Sequence, residues 1–350
     1  ILIVLSFPAL TVALALLALD RSMGTHFFTG TMGGDQMMYI NMFWVWGHPE
    51  VYILVLPAFG IFSEVVTTYC NKRLFGYTSM VWATMAIAFL SFGVWVHHFY
   101  TMGQDPLRNS IFGIATMVIA IPTGVKIYDW IWTMFRGRIE YKLPMLWTLG
   151  FLITFVMGGM SGVLLAIPGA DYKMHNSLFL VAHFHNVLIP GTMFGLLAGF
   201  YYWWPKVFGF RLDEKWGRHS FWGWLVGFYV AFVPLYMLGM MGMPRRTHSY
   251  LEETGFASYN MAVSTFAFIF GLSQLILVWN IIYSARRGEK VGKDPWGGWS
   301  LEWTTSSPPP TPSFHDIPTQ LDANEGHEHG EKKKGVGKRL WEGSGAEVSQ

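Results

Sequence analysis

The sequence predicts an all-α polytopic membrane protein with about eight transmembrane helices, on three observations. Of its 350 residues, 52% are hydrophobic and 13% charged, and 17 are Trp. A soluble domain of this size carries far more charge. Apolar runs long enough to cross roughly 30 Å of hydrocarbon recur along the chain, and short turns rich in Gly, Pro and basic residues separate them.

In order, the runs cover about 1–19, 38–64, 79–100, 111–134, 145–167, 177–203, 219–242 and 259–283. The first opens at Ile1 without the charged start and cleavage pattern of a secretory signal, so the chain is expected to be a fragment with earlier helices upstream. Typical turns are Cys70-Asn71-Lys72-Arg73, Arg136-Gly137-Arg138 and Phe208-Gly209-Phe210-Arg211. The loops after the second, fourth and sixth runs hold 2, 3 and 4 Lys or Arg, against 1, 1, 1 and 2 after the first, third, fifth and seventh. The positive-inside bias puts the former set in the cytoplasm, and Arg286, Arg287, Lys290 and Lys293 after the last run agree. Residues 1–287 thus form a transmembrane core. Residues 288–350, rich in Gly, Pro and charge, are expected to be a cytoplasmic tail, largely extended and disordered beyond about 315. His327-Glu328-His329 lies in that tail and is expected to be solvated. Cys70 is the only cysteine, which excludes a disulfide framework and an all-thiolate metal centre. The partner expected first is the lipid bilayer, and no nucleic-acid partner is expected.

Five histidines are placed inside otherwise apolar segments: His48, His97, His98, His183 and His185. An imidazole in hydrocarbon is costly and implies a ligand, most often a metal. His97 and His98 fall near the extracytoplasmic end of the third run, and His48 lies in the second, which starts from that side, so all three can reach one depth. Three imidazoles without a thiolate suit copper or another borderline transition metal. Read singly, each could instead bond a backbone carbonyl. His183 and His185 are two positions apart, about 200° around a helix. They face nearly opposite ways, as needed for axial ligands of two haems flanking one helix, or for two unrelated interhelical hydrogen bonds.

Tyr52 follows His48 by four residues and shares its face, a spacing that also serves plain packing. Glu50 is a carboxyl at membrane depth and suits a proton route. Lys126 is the only lysine deep in a run, and either serves such a route or snorkels to the inner surface.

Gly47-His48-Pro49-Glu50-Val51-Tyr52, His97-His98, Pro122-Thr123-Gly124-Val125-Lys126 and His183-Phe184-His185 resemble, in order and spacing, subunit I of the haem-copper terminal oxidases. The resemblance covers residues 1 to about 310, and the fold it implies is part of a twelve-helix core. It is similar above all to the bo-type ubiquinol oxidase branch, through Gly33-Gly34-Asp35-Gln36-Met37-Met38, Asn186, Asp294-Pro295-Trp296-Gly297-Gly298 and Ser306-Ser307-Pro308-Pro309-Pro310.

The resemblance implies one copper ion on His48, His97 and His98, a high-spin haem (o, a or b) on His183, and a low-spin haem (b or a) with His185 as one of its two axial ligands. It implies that Tyr52 is cross-linked to His48 and gives up an electron and a proton during reduction of dioxygen to water. Trp44, one turn before His48, matches a further electron donor. A proton pathway would map to Ser63, Thr123 and Lys126, ending at Tyr52, and Glu50 would end a second pathway. Arg245, Arg246, Asp171 and His175 match the surroundings of the haem propionates. The second low-spin ligand, the entrance of the second pathway and the quinol site are expected upstream. Implied partners are oxidase subunits II and III, and ubiquinol or cytochrome c as donor, in the cytoplasmic (inner) membrane of a bacterium. Nitric oxide reductase shares the histidines but not the cross-linked tyrosine, and a proton-coupled transporter would carry no haem.

Overall fold

The computed structural model describes residues 1–314; the expected disordered tail and His327-Glu328-His329 lie outside the described residues. Twelve helices occur among them: α1 (Leu2–Ser22), α2 (Gln36–Cys70), α3 (Tyr77–Leu90), α4 (Pro106–Val118), α5 (Ala120–Met134), α6 (Leu143–Leu165), α7 (Pro168–Met174), α8 (Leu178–Leu188), α9 (Phe194–Phe208), α10 (Glu214–Phe232), α11 (Pro234–Met240) and α12 (Phe256–Arg287). No strand occurs among the described residues beyond the isolated bridges Ser177–Pro244 and Phe210–Lys290. Proline explains several of the breaks, since it removes a backbone donor and crowds the preceding turn. Pro122 follows the α4–α5 junction, Pro190 sits in the π-helical turn Ile189–Met193 between α8 and α9, and Pro234 begins α11. Joined across these breaks, seven helices are long and apolar enough to cross a membrane.

The third expected span differs from the other seven. Its helix stops at Leu90 and continues as two 3₁₀ turns, Ser91–Gly93 and Trp95–Phe99, so only Tyr77–Gly93 forms a shorter apolar helix. Val94 between the turns has φ −128° and ψ −6°, outside the helical range. The chain therefore changes direction just before His97 and His98. Asp105 then restarts it as the cap of α4, its carboxylate accepting from the Leu107 amide, with Pro106 at the first helical position.

Apolar helices gain little by burying apolar surface from lipid, so close packing at small residues decides their positions. Gly158 of α6 lies against the backbone of α8, where a Cβ would come 2.7 Å from the Asn186 carbonyl oxygen. Gly195 of α9 meets Ala58 of α2, and Gly223 and Gly227 of α10 meet Ser273 and Phe270 of α12. Around these contacts sits an aromatic core in which Phe62 stacks on Phe151 (centroids 3.9 Å apart) and Trp130 and Trp147 are fully buried.

The basic loops gather at one face. Lys72 donates to the carbonyls of Trp132 and Phe135 at the end of α5. Lys206, at the end of α9, donates to the carbonyls of Lys293, Thr305 and Ser306. The stretch 288–314, mostly without helix, is pinned to this face: Trp303 is buried and donates to the Tyr202 hydroxyl, and Trp296 donates to the Tyr202 carbonyl. Gly158→Ala is expected to push α6 from α8 and cost about 1–3 kcal/mol, read as a lower unfolding midpoint in detergent. Gly159→Ala, whose Cβ would meet nothing within 4 Å, is the control and should not lower it.

Candidate functional site

Three histidines from two elements meet at one point. His48 comes from α2, where Pro49 follows it inside the helix, and His97 and His98 come from the 3₁₀ turn. At three residues per turn, neighbouring side chains in that turn stand about 120° apart, and both ring Nε2 atoms still converge. His97 Nε2 lies 3.0 Å from His98 Nε2 and 3.1 Å from His48 Nδ1, and the ligand atoms all fall within 4.8 Å of one another. Separations near 3 Å suit donors around one ion with metal–nitrogen bonds of about 2.0–2.1 Å.

The hydrogen-bond network sets the tautomer. Thr116 of α4 donates its hydroxyl proton to the Phe112 carbonyl (2.6 Å), so its oxygen accepts from His97 Nδ1 (3.0 Å). The proton on Nδ1 leaves the Nε2 lone pair turned toward the cluster. His48 presents Nδ1 to His97, while its Nε2 is buried without a partner, and the Tyr52 ring lies 4.9 Å from its own. Trp44 stacks on His98 with centroids 3.4 Å apart and planes 7° from parallel. The donor set is all imidazole, and it fits copper.

His183 and His185 point to different sides of α8. His183 Nδ1 lies 2.9 Å from Ser161 Oγ and 3.1 Å from the Gly158 carbonyl, both on α6. Gly162 gives its ring room, since a Cβ there would lie 2.7 Å from Cε1. His185 donates from Nδ1 to the Val181 carbonyl (2.8 Å), and its ring stacks on Phe232 of α10. Both rings carry the proton on Nδ1 and keep Nε2 free, the form in which imidazole binds haem iron. The chemistry of the donors thus fits an axial ligand on each side of α8.

The other expected residues fall into separate places. Lys126 does not snorkel: it is 3% exposed and donates to Thr84 Oγ1 (2.8 Å) and Met80 Sδ (2.9 Å) of α3. Thr123, one turn away, bonds back to the Ile119 carbonyl, and Ser63 accepts from Trp130 Nε1 while donating to the Phe59 carbonyl. Glu50 keeps a buried carboxylate oxygen without a partner. Asp171 and His175 form a 2.7 Å pair, with His175 Nε2 buried and unpaired. The backbone of Arg245 donates to the Asn176 carbonyl beside this pair, and Arg246 is held at φ +68°. Burial and the neighbouring Arg246 lower the Arg245 pKa from its ordinary value. Two adjacent guanidiniums and an open imidazole nitrogen make this edge suited to carboxylates.

Sequence reasoning missed Thr116, Ser161 and Thr84, because a hydroxyl inside an apolar helix carries no local signal. It also missed Asp129, although a carboxylate three residues after Lys126 was legible as a second charge in the same run.

Residues 1–269 match the family model described as Cytochrome C and Quinol oxidase polypeptide I. The chain is 57% identical over 319 residues to a probable cytochrome c oxidase subunit 1 of Bradyrhizobium diazoefficiens, covering 90% of this chain and 47% of the relative. It is likewise 57% identical to a cytochrome bo(3) ubiquinol oxidase subunit 1 of Buchnera aphidicola, covering 91% and 49%, and 51% identical to a quinol oxidase subunit 1 of Bacillus subtilis, covering 91% and 50%. It spans about half the length of these bacterial relatives. A heme-copper terminal oxidase dimer solved by cryo-EM shares its fold, with a TM-score of 0.70 at 18% identity over 91% of this chain and 60% of the other. With the family model matched from the first residue across nearly all of the helical core, the chain belongs to the cytochrome c and quinol oxidase polypeptide I family.

Proposed function

We propose that this chain is the catalytic part of a respiratory terminal oxidase that reduces dioxygen to water, with ubiquinol as donor and proton translocation coupled to turnover. The observation that carries the reading is the convergence of His48, His97 and His98 within 4.8 Å, beside a helix whose two histidines each keep one nitrogen free. In this reading the three imidazoles hold copper, His183 holds the high-spin haem and His185 the low-spin haem. When bound, these groups supply the electrons and the open coordination positions that dioxygen reduction requires.

The chain's own residues do the rest. Thr116 holds His97 in the binding tautomer, and Ser161 with the Gly158 carbonyl does the same for His183. The unpartnered Nε2 of His48 is the atom available for a cross-link to Tyr52. Trp44, flat against His98, is placed to pass an electron into the cluster. Lys126 carries protons toward Tyr52 from the basic face, which the loop charges assign to the cytoplasm, with Thr123 and Ser63 along the way. Glu50 ends a second route. Arg245, Arg246 and the Asp171–His175 pair hold propionates at the opposite face. Subunits II and III complete the assembly in the bacterial cytoplasmic membrane, where residues 1–287 form the embedded core and 288–350 a cytoplasmic extension.

Cytochrome c is the alternative donor, because the Bradyrhizobium and Buchnera relatives are equally similar and their names differ in donor. The full-length complex is expected to oxidise ubiquinol, and oxidation of cytochrome c alone would decide for the other branch. A preparation without haem would remove both oxidase readings and reopen that of a transporter.

His98→Asn is expected to lose copper in elemental analysis while both haem bands persist; full copper would exclude His98 as a ligand. Lys126→Met should keep haem and copper yet slow turnover by roughly 10²-fold or more, so unchanged turnover would remove the lysine pathway. Glu50→Gln should impair proton-coupled turnover in vesicles, and full activity with full proton translocation would leave Glu50 outside the mechanism.

A further inference from the structure

One buried ionisable side chain of α5 has no part in the pathways above. Asp129 of α5 is 5% exposed. Its Oδ2 accepts from Ser79 Oγ of α3 at 2.7 Å. The turn at Gly76 closes over the same carboxylate: Gly76 has φ +62°, and a Cβ on it would lie 2.5 Å from Asp129 Oδ1. Gly76 caps the start of α3 and follows the basic loop at Lys72-Arg73. Asp129 is thus held where α5 meets the basic face, beside the first turn of α3.

Lys126 lies three residues earlier on the same helix, one turn deeper and on the same side. Its ammonium reaches Met80 and Thr84 of α3, the first directly after Ser79 and the second one turn beyond Met80. The two helices therefore meet at two polar contacts: Asp129 with Ser79 near the face, and Lys126 with Thr84 below. The two charges do not close on each other, since the ion pairs among the described residues are His175–Asp171, Arg211–Glu289 and Arg218–Glu214. A closed Asp–Lys pair in this setting would trap the proton between two desolvated charges. Held apart, each group can change its protonation state in turn.

We propose that Asp129 is the proton-delivering group at the inner mouth of the lysine pathway, an inference that rests on the reading of Lys126 given above. The carboxylate takes a proton from water at the basic face. Its O–H bond then breaks as the proton passes to the neutral Lys126 amine, directly or through water, leaving a carboxylate and an ammonium. The carboxylate is reprotonated from the face while Lys126 passes its proton inward.

The test uses the full-length oxidase complex with Asp129→Asn and, as reference, Lys126→Met. Asparagine is isosteric and its carbonyl oxygen still accepts from Ser79, so the α3–α5 contact survives while the exchangeable proton is lost. Haem and copper content should match the parent. The rate of anaerobic reduction of the high-spin haem should fall about 10²-fold, the low end for loss of a proton-transfer group, and should slow further in D₂O by a larger factor than in the parent. An unchanged rate in Asp129→Asn with a slow Lys126→Met would overturn the role of Asp129 and leave the lysine pathway standing. Slowing without an enlarged isotope effect would also overturn it, because a distorted contact lowers the rate without making proton transfer limiting. If Lys126→Met itself reduces its haem at the parent rate, the pathway reading fails and this inference falls with it.

Discussion

An imidazole at membrane depth must find a partner for each ring nitrogen, and the central part of this bundle is arranged around that demand. Unsatisfied polar groups are costly where no water can reach them. Here one nitrogen of His97, His183 and His185 is satisfied by protein: Thr116 for the first, Ser161 and the Gly158 carbonyl for the second, the Val181 carbonyl for the third. The other nitrogen is left for a ligand. His48 and His175 each keep a buried Nε2 with no partner among the described residues, in line with the roles proposed for them.

The demand also explains where the helices break. A continuous helix over 79–100 would carry His97 and His98 straight on along the axis of α3, without the change of direction at Val94. Ending α3 at Leu90 and passing through 3₁₀ turns lets both rings close on His48. At the break Ser91, Val94 and Val96 are buried in the bundle, where irregular backbone at membrane depth is tolerated. On α8 the regular helix is kept through both histidines and yields only afterwards, in the π turn at Pro190, so their opposed directions are preserved.

Close approach of helices makes these partners available. Gly158 and Gly162 bring α6 near enough for one to offer its carbonyl to His183 and the other to make space for its ring. The basic face is tied differently, by charged and aromatic side chains. The stretch after α12 is held against the ends of α2 and α9 by Lys206 on the Thr305 carbonyl, by Trp296 and Trp303 on Tyr202, which itself bonds Thr68, and by Ser300 on Glu64. The bundle is thus packed by small residues at depth and laced by polar contacts at its basic face.

What could be read from the sequence alone was whatever is local. Hydropathy over about 20 residues located the spans, two-residue spacing opposed His183 to His185, and four-residue spacing placed Tyr52 beside His48. Such arguments need only the geometry of one helix. What they could not supply was anything that depends on how two helices slide and rotate against each other. The partner of His97 is 19 residues away, that of His183 is 22, that of Lys126 is 42 and that of Asp129 is 50. None of these hydroxyls stands out in an apolar run. The same limit left open whether Lys126 snorkels, because its stem can reach either way until packing places Met80 and Thr84 within its range. The sequence by itself determined which residues could bind and roughly at what depth. The tertiary structure alone decided which nitrogens face one another, because interhelical register is set by contacts far apart in the chain.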